Sequence, residues 1–170
     1  MIGDFCKAPL PLRVEGLVEP RTNGPPCKPA GFEGFSVIRA RVFLADDNRE
    51  ILERVAVVLA DEFDIVGAVC DGQALLDAAA RLQPDVVILD ISMPVLNGLE
   101  AAKSLRQSGS SIKIVFLTVN TNREVVRAAL ETGALGYVAK AHLQKDLVPA
   151  IKAALAGVSF VSPSIRRSKE

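Results

Sequence analysis

The feature that most constrains the fold is an alternation of short apolar runs and amphipathic helical segments, which begins at Arg41. Runs rich in Val, Ile, Leu and Phe are typical of strands that are buried on both faces of a parallel sheet. We predict five strands, at Arg41–Ala45, Asp64–Val69, Val86–Leu89, Lys113–Thr118 and Leu135–Ala139. The pattern therefore indicates a domain of repeated βα units.

Helical segments with recognisable ends lie between these runs. We predict N-caps at Asn48, Asp71 and Asp146, a third helix over Gly98–Gln107 and a fourth helix that starts near Asn122. With Asp146 as the N-cap, Pro149 falls in the first turn, where a missing N–H costs no helical hydrogen bond. The fold class is α/β, a (βα)5 doubly wound five-stranded parallel sheet of the flavodoxin-like kind with helices on both faces.

The ends of the chain differ in composition from this repeat. Residues 1–37 contain six of the ten prolines and have neither helical nor strand periodicity. We interpret them as a disordered Pro/Gly-rich extension or as a wrongly assigned translation start. Residues 38–158 form the predicted domain, and residues 159–170 are expected to be a C-terminal tail or linker stub.

Charge and cysteine content exclude several classes of protein. Lys plus Arg and Asp plus Glu number 20 each, so no net charge favours binding to nucleic acid or to a membrane surface. No apolar run approaches the roughly 18 residues of a membrane span. The three cysteines have no metal-ligand spacing, and we expect a cytoplasmic protein.

Polar residues follow four of the predicted strands, at the edge where ligands bind in open α/β sheets. They are Asp46, Asp47, Asp90, Thr118 and Lys140. Three carboxylates in one crevice repel each other by roughly 4 kcal/mol per pair at about 4 Å. A lysine and a hard divalent cation, Mg²⁺, would offset that repulsion. Such a site suits phosphoryl transfer with an aspartate as nucleophile.

Four stretches of the sequence resemble the signatures of bacterial two-component response-regulator receiver domains. They are "LADDN", "VVILDISMPVLNGLE", "IVFLT" and "GALGYVAKAHL", and the resemblance spans about Arg41 to Gly157. It implies that Asp90 accepts a phosphoryl group from a phosphohistidine of a sensor histidine kinase. The chain would then be a phosphoacceptor in a phosphorelay, taking part in its own phosphorylation and dephosphorylation, rather than an enzyme.

The same resemblance implies a role for each site residue. Mg²⁺ would be bound directly by Asp47 and Asp90, largely through water by Asp46, and by the backbone carbonyl of Ser92. Thr118 and Lys140 would contact the phosphoryl oxygens, and Tyr137 would turn inward when Thr118 moves. Pro94 and Gly98 would shape the loop after the acceptor.

The C-terminal part of the match narrows the subfamily and leaves the output open. Ala141 in place of a common proline, and the ending "AIKAALAGVSFVSPSI", look like receivers of the NarL/LuxR type. Phosphorylation would switch a protein-interaction surface, with a possible homodimer through the fourth helix, fifth strand and fifth helix or another helical face. The alternative is a receiver fragment of a LuxR-type transcriptional regulator, and this chain itself is expected to bind no nucleic acid.

Two other classes of protein fit the sequence less well. A hydrolase resembling the haloacid dehalogenases would need a second aspartate two residues after Asp90, where Ser92 stands. A nucleotide-binding domain would need a glycine-rich phosphate loop, and neither G-x-G-x-x-G nor a P-loop motif occurs.

Overall fold

The computed structural model describes residues 39–167, which form a six-stranded parallel sheet with helices on both faces. The strands are β1 (Arg41–Ala45), β2 (Asp64–Val69), β3 (Val86–Leu89), β4 (Lys113–Thr118), β5 (Gly136–Ala139) and β6 (Phe160–Val161). Their order in the sheet is β2-β1-β3-β4-β5-β6. The predicted doubly wound fold is confirmed, with one strand more than the sequence pattern indicated.

In residues 39–167, five helices and one 3-10 turn connect the strands, and a sixth helix follows β6. They are α1 (Arg49–Leu59), α2 (Gly72–Leu82), α3 (Gly98–Gln107), α4 (Arg123–Glu131), the 3-10 turn Lys140–His142, α5 (Leu143–Leu155) and α6 (Pro163–Arg167). Asn48 and Asp71 are N-caps, as predicted, and Asn122 caps the helix that was expected to start near it; each side chain accepts a hydrogen bond from a first-turn amide. These local signals therefore fix where α1, α2 and α4 begin.

Two apolar clusters, one on each face of the sheet, form the core. One contains buried residues of α2, α3 and α4, and the other contains buried residues of α1 and α5. Successive strand residues alternate between them, since Phe43 belongs to the first cluster and Leu44 to the second. The β3 residues Val86 to Leu89 are all buried, which explains their unbroken apolar run.

The start of α5 differs from the prediction. The helix begins at Leu143, directly after the 3-10 turn, so Asp146 lies in its first turn and is not the N-cap. The carboxylate of Asp146 is buried and accepts a hydrogen bond from Ser162, a partner 16 residues away. Pro149 consequently lies inside the helix rather than in its first turn.

The prediction of a tail at residues 159–170 is wrong for the described part of that segment. Phe160 and Val161 form β6, which pairs in parallel with β5. Ile165 of α6 is 6% exposed and belongs to the core cluster that contains α2, α3 and α4. Burial of these apolar side chains and pairing with the edge of β5 explain why the segment is folded.

The prediction for residues 1–37, a disordered extension or a wrongly assigned start, lies outside the described residues. Among residues 39–167, no helix combines the length and apolarity needed to cross a lipid bilayer.

Candidate functional site

The register of the central strands brings two aspartates together. Ala45 of β1 pairs with Leu89 of β3, and each is followed directly by an aspartate, Asp46 or Asp90. The amide of Asp90 donates to the carbonyl of Ala45 at 2.9 Å, which fixes the two backbones at this edge. Both aspartates are buried, with 3% of each residue exposed. The site therefore follows from strand pairing, as the sequence predicts.

Lys140 reaches this pair from the end of β5. Its Nζ lies 2.7 Å from Asp46 Oδ2 and 3.3 Å from Asp90 Oδ2, and its side chain is only 10% exposed. One ammonium group thus serves two buried carboxylates. The predicted grouping of Asp46, Asp90 and Lys140 is present in the structure.

Asp47 completes an acidic cluster that could hold a metal ion. One carboxylate oxygen each from Asp46, Asp47 and Asp90 lies within 4.8 Å of the others, and Asp47 is exposed to solvent. Asp90 Oδ1 is buried and has no hydrogen-bond partner among the described residues. An all-oxygen donor set with an unpartnered buried oxygen fits a hard divalent cation that keeps some waters.

The environment of Asp46 disfavours its charged form. Burial raises the pKa of Asp46 above its ordinary value of 3.8, and the nearby Asp90 charge acts in the same direction. The hydrogen bonds from Lys140 and from the Asn48 amide oppose this shift without cancelling it. A cation bound to this cluster would stabilise the charged form of Asp46 and so lower its pKa.

Thr118 and Tyr137 lie on neighbouring strands beside this cluster. Thr118 pairs with Ala139, the residue before Lys140, and its fully buried hydroxyl accepts a hydrogen bond from the Asn120 amide at 3.2 Å. The Tyr137 side chain is also fully buried, and its hydroxyl donates to the Asn120 carbonyl at 2.7 Å. Both residues therefore contact the loop between β4 and α4, through a residue that the sequence analysis did not single out.

The loop after Asp90 depends on a close approach of two backbones. The Gly98 amide donates to the Ile91 carbonyl at 2.9 Å, and a Cβ at Gly98 would lie 2.0 Å from the Asp90 carbonyl oxygen. Only glycine fits there, which supports the role that the resemblance gives to Gly98. Val95 in this loop is 85% exposed with a positive φ of 67°, and Ser92 is also exposed.

A second buried polar group, formed by Ser162 and Asp146, lies next to Ala139, the residue before Lys140. The sequence analysis did not predict this pair. Ser162 Oγ donates to Asp146 Oδ2 at 2.7 Å and accepts from the Ala139 amide at 3.3 Å. The "SP" pair at Ser162 and Pro163 was an available signal, since proline favours the first position of a helix and serine the position before it. The partnership with Asp146 had no local signal.

Comparisons with known proteins identify the family of this chain. A family model for the response regulator receiver domain matches residues 42–152. Response regulator GacA of Pseudomonas viridiflava is 35% identical over 127 residues, which are 74% of this chain and 59% of that protein. LnrK, a transcriptional regulatory protein of Bacillus subtilis, is 32% identical over 127 residues, 74% of this chain and 58% of its own length. The chain thus spans less than two thirds of the length of these two relatives.

A solved LuxR-family two-component response regulator from Aurantimonas sp. SI85-9A1 superposes with a TM-score of 0.72 at 30% identity. The match covers 76% of this chain and 94% of that chain. The isolated REC domain of RcsB from Salmonella enterica serovar Typhimurium, in the presence of phosphomimetic BeF3-, gives a TM-score of 0.72 at 29% identity. That match covers 78% of this chain and 99% of that chain. With this fold, this acidic edge and these relatives, the chain belongs to the response-regulator receiver-domain family.

Proposed function

We propose that Asp90 is the phosphoryl acceptor of a phosphorelay and that a sensor histidine kinase is the donor. The observation that carries this proposal is the state of the Asp90 carboxylate. Its Oδ2 lies against Lys140, whereas its buried Oδ1 lacks a hydrogen-bond partner among the described residues. An oxygen that is neither solvated nor hydrogen-bonded, beside a fixed cation, is suited to attack an incoming phosphoryl group.

The donor set suits Mg²⁺, which would be held by Asp46, Asp47, Asp90 and the backbone carbonyl of Ser92. When bound, the ion supplies positive charge that neutralises the transferring oxygens. The cluster contains three carboxylates, and the ammonium of Lys140 contacts two of them, so its net negative charge favours a divalent cation. Because Asp47 is exposed, it is the ligand through which an ion would enter.

Lys140 and Thr118 are proposed to stabilise the transferred group. During transfer the bond from phosphorus to the histidine nitrogen breaks and a bond to an Asp90 oxygen forms, giving an acyl phosphate. Lys140 would turn from Asp90 Oδ2 to a phosphoryl oxygen, and the Thr118 hydroxyl would donate to another. Later attack by water on phosphorus returns inorganic phosphate and the free carboxylate, so the chain is a phosphoacceptor rather than an enzyme.

The experiment that tests this function is labelling with a small donor. Incubation with acetyl phosphate and Mg²⁺ should add the mass of one phosphoryl group, labile to hydroxylamine as acyl phosphates are. The Asp90→Asn variant should gain none, while Asp61→Asn, which removes an exposed carboxylate elsewhere, should label like wild type. If Asp90→Asn labels as fast as wild type, another residue is the acceptor and the assignment is wrong.

The proposed output is a change in self-association through α4, β5 and α5, in the cytoplasm. The backbone of Asn120 forms hydrogen bonds with both Thr118 and Tyr137 of β5. A movement of Thr118 would therefore shift Tyr137 and change this face. Sedimentation velocity with and without the phosphoryl mimic beryllofluoride would measure this effect. Identical sedimentation and identical amide exchange across α4, β5 and α5 would contradict it.

A further inference from the structure

The residue before Lys140 is fixed by a buried polar group that the proposed chemistry does not use. The Ala139 amide donates to Ser162 Oγ at 3.3 Å, and Ser162 Oγ donates in turn to Asp146 Oδ2 at 2.7 Å. Ser162 is fully buried and Asp146 is 5% exposed. The three groups belong to β5, to the residue after β6 and to the first turn of α5, so this contact joins three elements.

Ser162 binds the end of β5 in two places. Its amide donates to the Tyr137 carbonyl at 2.9 Å, which continues the pairing of β5 with β6. Strand β6 ends at Val161. The next β5 amide that faces β6 is that of Ala139, and it donates a hydrogen bond to the Ser162 side chain. Asp146 accepts a hydrogen bond from the Ser162 hydroxyl, so a lone pair of Ser162 Oγ is free to face the Ala139 amide.

This position matters because Lys140 has little freedom at the site. Its Nζ must lie within contact distance of both Asp46 Oδ2 and Asp90 Oδ2, at 2.7 Å and 3.3 Å. Its backbone leaves the sheet at Ala139, between Thr118 on one side and Ser162 on the other. Loosening Ala139 would let the start of the 3-10 turn, and with it the ammonium group, move away from the carboxylates.

We propose that Ser162 and Asp146 are positioning residues for Lys140, so that the last described strand and helix take part in the phosphorylation switch. This inference rests on the proposed function of Asp90 and Lys140 and adds two residues to it. The hydrogen bonds that the structure gives for the Ser162 and Asp146 side chains do not involve Asp46, Asp47 or Asp90, and both residues act through the backbone of Ala139.

The test combines labelling with a double-mutant cycle. Ser162→Ala should slow Mg²⁺-dependent labelling by acetyl phosphate about tenfold at saturating donor, because the lysine is misplaced in the transition state. Adding Ser162→Ala to Lys140→Ala should change the rate less than about twofold, since the residue through which Ser162 acts is then absent. Ser159→Ala, an exposed serine on the same segment, is the matched control and should label like wild type.

Asp146 provides a second pair of variants in case Ser162→Ala does not fold. Asp146→Ala removes the acceptor of the Ser162 hydroxyl and should slow labelling, whereas Asp146→Asn keeps an acceptor oxygen and should restore most of the rate. Circular dichroism and melting curves on each variant would establish that the comparison is between folded proteins. Equal rates for Asp146→Ala and Asp146→Asn would overturn the role of Asp146.

A readout without phosphorylation separates this inference from the proposed function. Hydrogen exchange of the Lys140 ammonium protons, followed by nitrogen-15 NMR, should be faster in Ser162→Ala than in wild type and unchanged in Ser159→Ala. If wild type gains no label but this exchange still accelerates, the acceptor assignment fails and the positioning role stands. Unchanged ammonium exchange in Ser162→Ala, or an equal loss of labelling in the Lys140→Ala background, would overturn the positioning role.

Discussion

Buried carboxylates occur at the acidic edge of the sheet and beside β6, and the two regions treat them differently. Asp46 and Asp90 are each 3% exposed and share one ammonium group, with Asp90 Oδ1 lacking a partner among the described residues. Asp146 is 5% exposed and accepts a hydrogen bond from a neutral serine. Burial of an acid is therefore not the mark of the functional site. The mark is carboxylates crowded around too little positive charge.

The two regions therefore have different physical roles. The acidic edge keeps negative charges in proximity, which costs stability and provides a place for a cation and a phosphoryl group. The contact between Asp146 and Ser162 is a hydrogen bond from a neutral hydroxyl to a carboxylate, which stabilises the end of β5. Each region can be tested by the same isosteric change from Asp to Asn.

The largest effect is expected for metal binding. Asp47→Asn should weaken Mg²⁺ binding roughly tenfold or more, because the exposed ligand loses its charge while the buried pair remains. Asp146→Asn removes a buried carboxylate from α5, outside the cluster, and should leave the affinity unchanged. Calorimetric or NMR titration with Mg²⁺ measures both, and an unchanged affinity in Asp47→Asn would contradict the placement of the metal site.

A smaller effect is expected from the titration of Tyr137. Burial raises the pKa of Tyr137 to about 12 from 10.0, and the charge of Asp90 acts in the same direction. A raised pKa means that this tyrosine supports the fold while it is neutral, below pH 10, and loses that contribution as the pH rises from 10 to 12. The loss amounts to about 2–3 kcal/mol.

This loss can be isolated because the chain contains one tyrosine and no tryptophan, so tyrosinate absorbance reports on Tyr137 alone. The Tyr137→Phe variant should be less stable at neutral pH by about 1 kcal/mol, since the hydrogen bond to the Asn120 carbonyl is lost. It should lack the additional decline of wild type between pH 10 and 12, measured as the difference in free energy of unfolding. Titration of the folded protein near pH 10 would show that the hydroxyl is not held as described.

Sequence alone predicted the acidic edge and missed the contact beside β6, for a physical reason. Asp46, Asp90 and Lys140 each follow a strand, and parallel strands end at one edge, so their meeting needs only the strand order. Helix caps such as Asn48 accept hydrogen bonds from amides two and three residues away, so they too can be predicted from the sequence. The exposed position of Asp47 beside the buried Asp46 required the structure.

The sequence predicts Asp146 as a helix cap, because an aspartate before an apolar helical run most often has that role. Its actual partner lies 16 residues further along the chain, and no local pattern encodes such a contact. The sequence predicts a tail at residues 159–170, because a strand of two residues is too short to show a periodic pattern. This segment folds because β6 pairs with the edge of β5 and because Ile165 packs into the core.

The smallest expected effects, which test the comparison most directly, are the changes in stability caused by Asp46→Asn and Asp146→Asn in metal-free buffer. Burial raises the pKa of Asp46, so its charge opposes folding. The penalty grows as the pH rises from the ordinary value of 3.8 to the pKa of the folded state, and it is constant above that. Asp46→Asn should therefore stabilise the protein at neutral pH by about 1 kcal/mol, since Lys140 keeps its contact with Asp90.

The gain from Asp46→Asn should vanish as the pH falls below 3.8, where the carboxyl is protonated in both states. Asp146→Asn should act in the opposite direction and destabilise by about 1 kcal/mol, because the new amide group is buried without an acceptor while Ser162 keeps its own. Denaturant unfolding between acid and neutral pH measures both variants against wild type. Changes of the same sign would mean that the two regions hold their carboxylates in the same way, since opposite signs follow only if one carboxylate is in electrostatic conflict and the other is satisfied.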